Sequence, residues 1–146
     1  MTGTDRMVAW LRETLAAAQA DAEGATPGPW HVTDYPYGYD LDAVIGTSPL
    51  DCDVVSGSHD NGGGVRLADA RHIARHDPSA VLRRILADRE LLDLHHEVAG
   101  KCWECNQGYE LMDWGPDFPC TSVRLLAKGY GWTDSSSVTN QPTPTP

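Results

Sequence analysis

Basic residues are scarce in this sequence: 11 Lys and Arg stand against 21 Asp and Glu, for a formal net charge of −10. A protein that gains affinity by neutralising phosphates needs the opposite balance, so direct nucleic-acid binding is not expected. The same balance disfavours docking on an anionic membrane. Also missing is any run approaching the roughly 18 apolar residues that a membrane-spanning helix requires. Residues 1–5 lack a basic start and residues 6–22 are broken by charge, so no secretion signal is legible and a cytoplasmic location is expected. Cysteine is sparse as well, four in 146 residues. In a reducing compartment, clustered thiols hold metal more often than they form disulfides.

Several catalytic signatures are absent too. No His-Glu-x-x-His accompanies the acidic residues near the cysteines, and Gly62–Gly64 has neither dinucleotide nor P-loop spacing. Ser56, Ser58 and His59 stand in no nucleophile elbow. No catalytic residue is assigned, and an enzyme is the less favoured reading.

What is present reads as one α+β domain over residues 1–132, followed by a disordered Ser/Thr/Pro tail over 133–146. Val8, Leu11, Leu15 and Ala18 recur at helical spacing, so a first helix is expected from about Thr4 or Asp5 to Ala22, stopped by Gly24. Ala25-Thr26-Pro27-Gly28-Pro29-Trp30 is a rigid turn. Trp30–Thr33, Leu41–Ile45 and Cys52–Val55 are short strand candidates for a small antiparallel meander, with Cys52 a core residue. Tyr35–Tyr39 is an aromatic turn, read as a loop on a sheet edge in preference to a ligand platform.

Leu67, Ala70, Ile73 and Ala74 then share a helical face up to His76. His72 and His76 lie four apart and share a face, but with no third ligand nearby they read as surface or helix-end residues. Asp77 suits an N-cap and Pro78 a first helical position. The long helix that follows carries Val81, Leu82, Ile85, Leu86 and Leu92 on its apolar face and is expected to end at Gly100. Tyr109–Met112 is a further strand candidate, and Thr121 is expected to cap a short last helix bearing Val123, Leu125 and Leu126.

Chemistry concentrates in the 26 residues from His95 to Cys120. Cys102-Trp103-Glu104-Cys105 puts two thiolates on one tight turn, as a zinc knuckle does, and Cys120 supplies a third. The fourth ligand falls to His95 or His96, between which spacing does not choose. A closed Cys3His site is structural, and its zinc would pin the end of the long helix, the knuckle and the last helix together. The rival readings are a redox Cys-x-x-Cys pair and a disulfide. Asn106-Gln107-Gly108 favours a turn over the helix start that a thioredoxin-like pair needs. A catalytic zinc would need an open position and a general base.

Ala25–Trp30, the string His72-Ile73-Ala74-Arg75-His76-Asp77-Pro78, the following Val81-Leu82-Arg83, and Leu92-x-Leu94-His95 resemble an actinobacterial and actinophage family known as domain-of-unknown-function family 6221. Cys102-x-x-Cys105, then Pro119-Cys120-Thr121-x-x-Arg124-x-Leu126-Ala127 with Tyr130, match its C-terminal pattern. The resemblance runs from Met7 to about Trp132 and implies His95 as the histidine ligand. It also implies a phage or host bacterial intracellular setting, without an activity. The expected function is therefore a zinc-stabilised protein-interaction module, a phage accessory or host-modulating protein with an unidentified protein partner. The alternative is an acidic mimic of nucleic acid that inhibits a DNA- or RNA-binding protein.

Overall fold

A computed structural model describes residues 3–33, 44–48, 54–55, 65–107 and 115–133. In chain order these form α1 (Gly3–Gly24), β1 (His31–Thr33), β2 (Val44–Gly46), α2 (Leu67–Arg75), α3 (Pro78–Leu94), β3 (Glu97–Val98), β4 (Lys101–Cys102), α4 (Trp103–Asn106) and α5 (Thr121–Gly129). The class is α+β, with two small antiparallel sheets, β1–β2 and β3–β4. The described residues fall into two compact units, one from Ala17 to Leu86 and one combining those up to Ala16 with those from Ala87 onward.

In the unit from Ala17 to Leu86, Val32 of β1 stands opposite Ile45 of β2. Val55 joins the same place: Ile45 donates its N–H to the Val55 carbonyl at 2.9 Å, and the Val55 N–H returns to the Ile45 carbonyl at 3.0 Å. The three expected strand segments thus meet at Ile45, the third as a bridge alone among the described residues. Ile45 is fully buried against Ala70 of α2, with Trp30, Val32, Leu67, Ile73 and Ala74 packed around the pair. The apolar face expected for α2 is the one that covers the sheet. Leu41–Ala43, Cys52, Tyr35–Tyr39, the Gly62–Gly64 loop and Ser56, Ser58 and His59 lie outside the described residues.

Asp77 begins α3 as its N-cap, its Oδ1 accepting the Ala80 N–H at 2.7 Å. Its second carboxylate oxygen accepts the backbone N–H of Trp30 at 3.2 Å. Gly28 sits so close that a Cβ there would come within 2.8 Å of the Asp77 Cγ. The Trp30 indole N–H reaches back to the Thr26 carbonyl at 2.9 Å, closing the turn on itself. The His72 and His76 rings meet at a 55° tilt with centroids 4.7 Å apart, both exposed, His76 at the C-cap of α2.

Helix α3 stops at Leu94, short of the expected Gly100. Ala99 and Gly100 both take positive φ, 49° and 80°. Two such residues in succession make a tight hairpin loop whose twist matches the flanking strands, so Glu97–Val98 pairs with Lys101–Cys102 where a last helical turn was expected. The apolar face is also narrower than the periodicity suggests. Ile85 and Leu92 are buried, whereas Leu86 is 58% exposed.

In the other unit, Met7, Val8, Leu11 and Leu15 of α1 are buried, as are Leu92, Val123 and Ala127. Burying each leucine contributes roughly 1.5–3 kcal/mol. The Trp10 and Trp132 rings meet at 5.2 Å with a 56° tilt, and the Tyr130 hydroxyl donates to the Asp88 carboxylate at 2.5 Å. Thr121, the expected cap, is already the first residue of α5, and Cys120 one position earlier holds the N-cap. Leu125, expected on the apolar face, is exposed. Tyr109–Met112 and residues 134–146 lie outside the described residues.

Candidate metal centre

The hairpin β3–β4 is the frame of the site. Directly paired residues share a face and alternate residues point opposite ways. Glu97 pairs with Cys102 and Val98 with Lys101, and the Trp103 N–H donates to the His96 carbonyl at 2.9 Å, extending the register by one pair. Cys102 is thereby turned inward, fully buried, while Val98 and Trp103 are directed outward and exposed.

Residues 116–118 run along the hairpin. The Cys102 N–H donates to the Pro116 carbonyl at 3.1 Å and the Phe118 N–H to the Gly100 carbonyl at 2.9 Å. Lys101 bridges to Asp117, both through the backbone and through an ion pair at 2.9 Å. The Lys101 ammonium holds the exposed Asp117 carboxyl below the usual range. These contacts deliver Cys120 to the knuckle. Gly115 approaches the knuckle closely: a side chain there would overlap Asn106, whose Cγ would lie 2.6 Å from the added Cβ. The Asn106 Oδ1 is buried and without a hydrogen-bond partner among the described residues.

Four side chains converge inside this frame. The Nδ1 of His95 lies 3.3 Å from the Sγ of Cys102, 3.5 Å from that of Cys105 and 3.4 Å from that of Cys120. All four donor atoms fall within 4.8 Å of one another. One nitrogen nearly equidistant from three sulfurs is the pattern of a tetrahedron's vertices. With Zn–S near 2.3 Å and Zn–N near 2.0–2.1 Å, the N···S edge of such a tetrahedron is about 3.5 Å. His95, Cys102, Cys105 and Cys120 can therefore hold a metal ion. His96 is turned away, its Nδ1 2.9 Å from the Asp93 carbonyl and its ring stacked on Trp103 at 5.9 Å.

The electrostatics match a cation site. Burial, reinforced by the Cys102 and Cys120 thiols beside it, pushes the Cys105 thiol up to about 12. Three thiols this close cannot all ionise unless a positive charge joins them. Burial also opposes ionisation of Cys120, but the backbone N–H of Val123 and its hydrogen-bonded neighbours outweigh it and lower its pKa. Its place at the start of α5 explains the direction, because free N–H groups at a helix N-terminus favour negative charge.

Two contributors are absent from the reading of the sequence: the Ala99-Gly100 hairpin loop and the pairing of residues 116–118. A Gly after a short residue between two strand-capable pairs was the available signal for the first.

No curated protein and no solved structure matches the chain. A family model does, over residues 4–131, nearly the whole of the described structure. The His/Cys cluster and the Asp77 junction both fall inside that match, and the chain belongs to the family of unknown function DUF6221.

Proposed function

We propose that His95, Cys102, Cys105 and Cys120 bind one zinc ion in a closed, structural site, and that the module so stabilised acts by binding another protein. The observation that carries the reading is the near-equal spacing of the His95 Nδ1 from three sulfurs. A sulfur-rich tetrahedral set selects zinc over magnesium, calcium or manganese. Four protein ligands fill a tetrahedron and leave no position for a substrate, which argues for a structural over a catalytic ion. Three thiolates and a dication carry a formal charge of about −1, so the loaded protein keeps its acidic character. The finer part of the proposal, an accessory or host-modulating role in a phage or its bacterial host cell, rests on the resemblance of the sequence motifs alone.

Metal analysis of the untagged protein tests the site, with one zinc per chain expected. Dialysis against a chelator is expected to lower the melting temperature, because the binding free energy of a structural zinc, on the order of 10 kcal/mol, is folding free energy. Zinc-free protein whose melting is unchanged by chelator overturns the structural assignment. Rapid alkylation of Cys102 or Cys105 in the purified protein would favour thiol chemistry instead.

A further inference from the structure

The hairpin that supplies Cys102 has a second face, and the metal does not use it. His96, Val98, Lys101 and Trp103 lie on that face by register. Trp103 is 46% exposed and Val98 45% exposed. His96 stacks on the indole, inclined by 24°, so the ring is held in place while much of it meets solvent. An indole ordered in this way by a neighbouring ring presents an apolar platform that has already lost its rotamer freedom.

Charge decides what the platform can receive. Between Asp93 and Cys105 the chain carries three exposed carboxylates, Asp93, Glu97 and Glu104, against one ammonium, Lys101. That ammonium is already matched by Asp117 at 2.9 Å. The proposed metal centre beneath adds a further formal charge of about −1. A nucleic acid would also stack on the indole, but its phosphates would meet this negative surround. A guanidinium meets the reverse condition, since it stacks on an indole face by cation–π attraction and pairs with flanking carboxylates.

We infer that the outward face of β3–β4, built on His96, Val98 and Trp103 and bordered by the exposed Glu104, is a docking surface for a basic, arginine-bearing segment of another protein. The inference rests on the reading of the chain as a protein-binding module and gives that partner a chemistry. Apolar side chains of the segment pack on Val98 and the indole, while its guanidinium groups take the carboxylates and the remaining ring surface. Inward-facing Cys102, tied through the metal to helix ends, keeps the hairpin rigid enough to present the face.

Fluorescence anisotropy with a labelled peptide of alternating arginine and leucine tests the surface, using the full chain. The peptide is expected to bind, to weaken as salt is raised, and to lose at least about tenfold in affinity on Trp103→Ala, as a central aromatic contact does. Glu104→Gln is expected to weaken binding and flatten the salt dependence. Val98→Ser, which removes no residue next to a ligand, gives an independent loss if Trp103→Ala disturbs the knuckle. Metal content and melting temperature of each variant are measured alongside. Absent binding overturns the inference, as does undiminished binding by all three variants. Preferential binding of a single-stranded RNA oligonucleotide to the same face overturns the assignment of a basic protein partner. Zinc-free protein that still loses peptide binding on Val98→Ser would sink the metal reading while leaving the docking surface standing.

Discussion

Asp77 accepts the backbone N–H of Trp30 at 3.2 Å, joining two segments 47 residues apart in the chain. The same carboxylate caps α3 through Ala80. The Thr-Pro-Gly-Pro-Trp turn and the His-Asp-Pro break, two of the strings that mark the family resemblance, therefore meet at one buried side chain that is 7% exposed. Replacing it removes a helix cap and leaves a shielded N–H without its acceptor. Asp77→Ala is expected to cost about 2 kcal/mol in urea unfolding. Asp77→Asn, which still caps, should cost clearly less. Equal losses for the two variants would show that the junction depends on charge alone.

Gly28 adds a steric condition to that junction. A Cβ there would stand 2.8 Å from the Asp77 Cγ and 2.9 Å from the Ser79 Oγ. Gly28→Ala is expected to destabilise by about 1–3 kcal/mol, the usual cost of overpacking. Because it acts by displacing Asp77, combining it with Asp77→Ala should cost less than the sum of the two. Strict additivity in the double-mutant cycle would place the strain elsewhere.

The adjacent histidines offer a sharp contrast. His95→Ala removes the nitrogen that faces all three sulfurs and should abolish stoichiometric metal binding. His96→Ala should leave it intact, since His96 bonds to the Asp93 carbonyl instead. Metal analysis after gel filtration reads both, and loss of metal from the His96 variant would reverse the assignment.

Removing metal should change how stability depends on pH. Burial and neighbouring thiols raise Cys105 from 9.0 to about 12 in the folded, metal-free chain. A thiol whose folded pKa lies above its unfolded value contributes stability that is complete below the unfolded pKa. That contribution is lost as pH climbs from about 9 towards 12. The metal-free protein is thus expected to weaken in alkali. The loaded protein, with thiolates already formed, should instead fail in acid as protons displace the ion. Denaturant melts at a series of pH values, with and without chelator, distinguish the two profiles.

Ala99 has a positive φ of 49° next to Gly100 at 80°. A side chain in the left-handed region costs about 1–2 kcal/mol relative to glycine, partly offset by glycine's greater freedom when unfolded. Ala99→Gly is expected to raise stability by about 0.5–1 kcal/mol. A decrease would mean that the alanine methyl makes a contact worth more than its strain.

Much of this was legible because it depends on short-range chemistry. Helical periodicity located α1, α2 and the start of α3, and the Asp77-Pro78 pair announced a cap that the structure contains. The end of α3 was harder to read. His95, His96 and Glu97 are compatible with helix, and only pairing with Lys101–Cys102 makes the extended form of Glu97–Val98 preferable. Leu86 shows a related limit, since periodicity identifies a face but not how far a neighbour covers it. The aromatic turn at Tyr35–Tyr39, the Gly62–Gly64 loop and Cys52 fall outside the described residues.

At the candidate metal centre, the amino-acid sequence by itself determined the donor chemistry: three thiols and a pair of adjacent histidines, in an acidic chain. Tertiary structure decided which histidine faces the sulfurs and how Cys120 reaches a knuckle 15 residues behind it. The physical reason is that ligand identity is a property of single side chains. Convergence requires the Ala99-Gly100 turn, the backbone pairing of residues 116–118 with the hairpin, and the close approach of Gly115 to Asn106. Each of those is a long-range or stereochemical condition that residue spacing does not express.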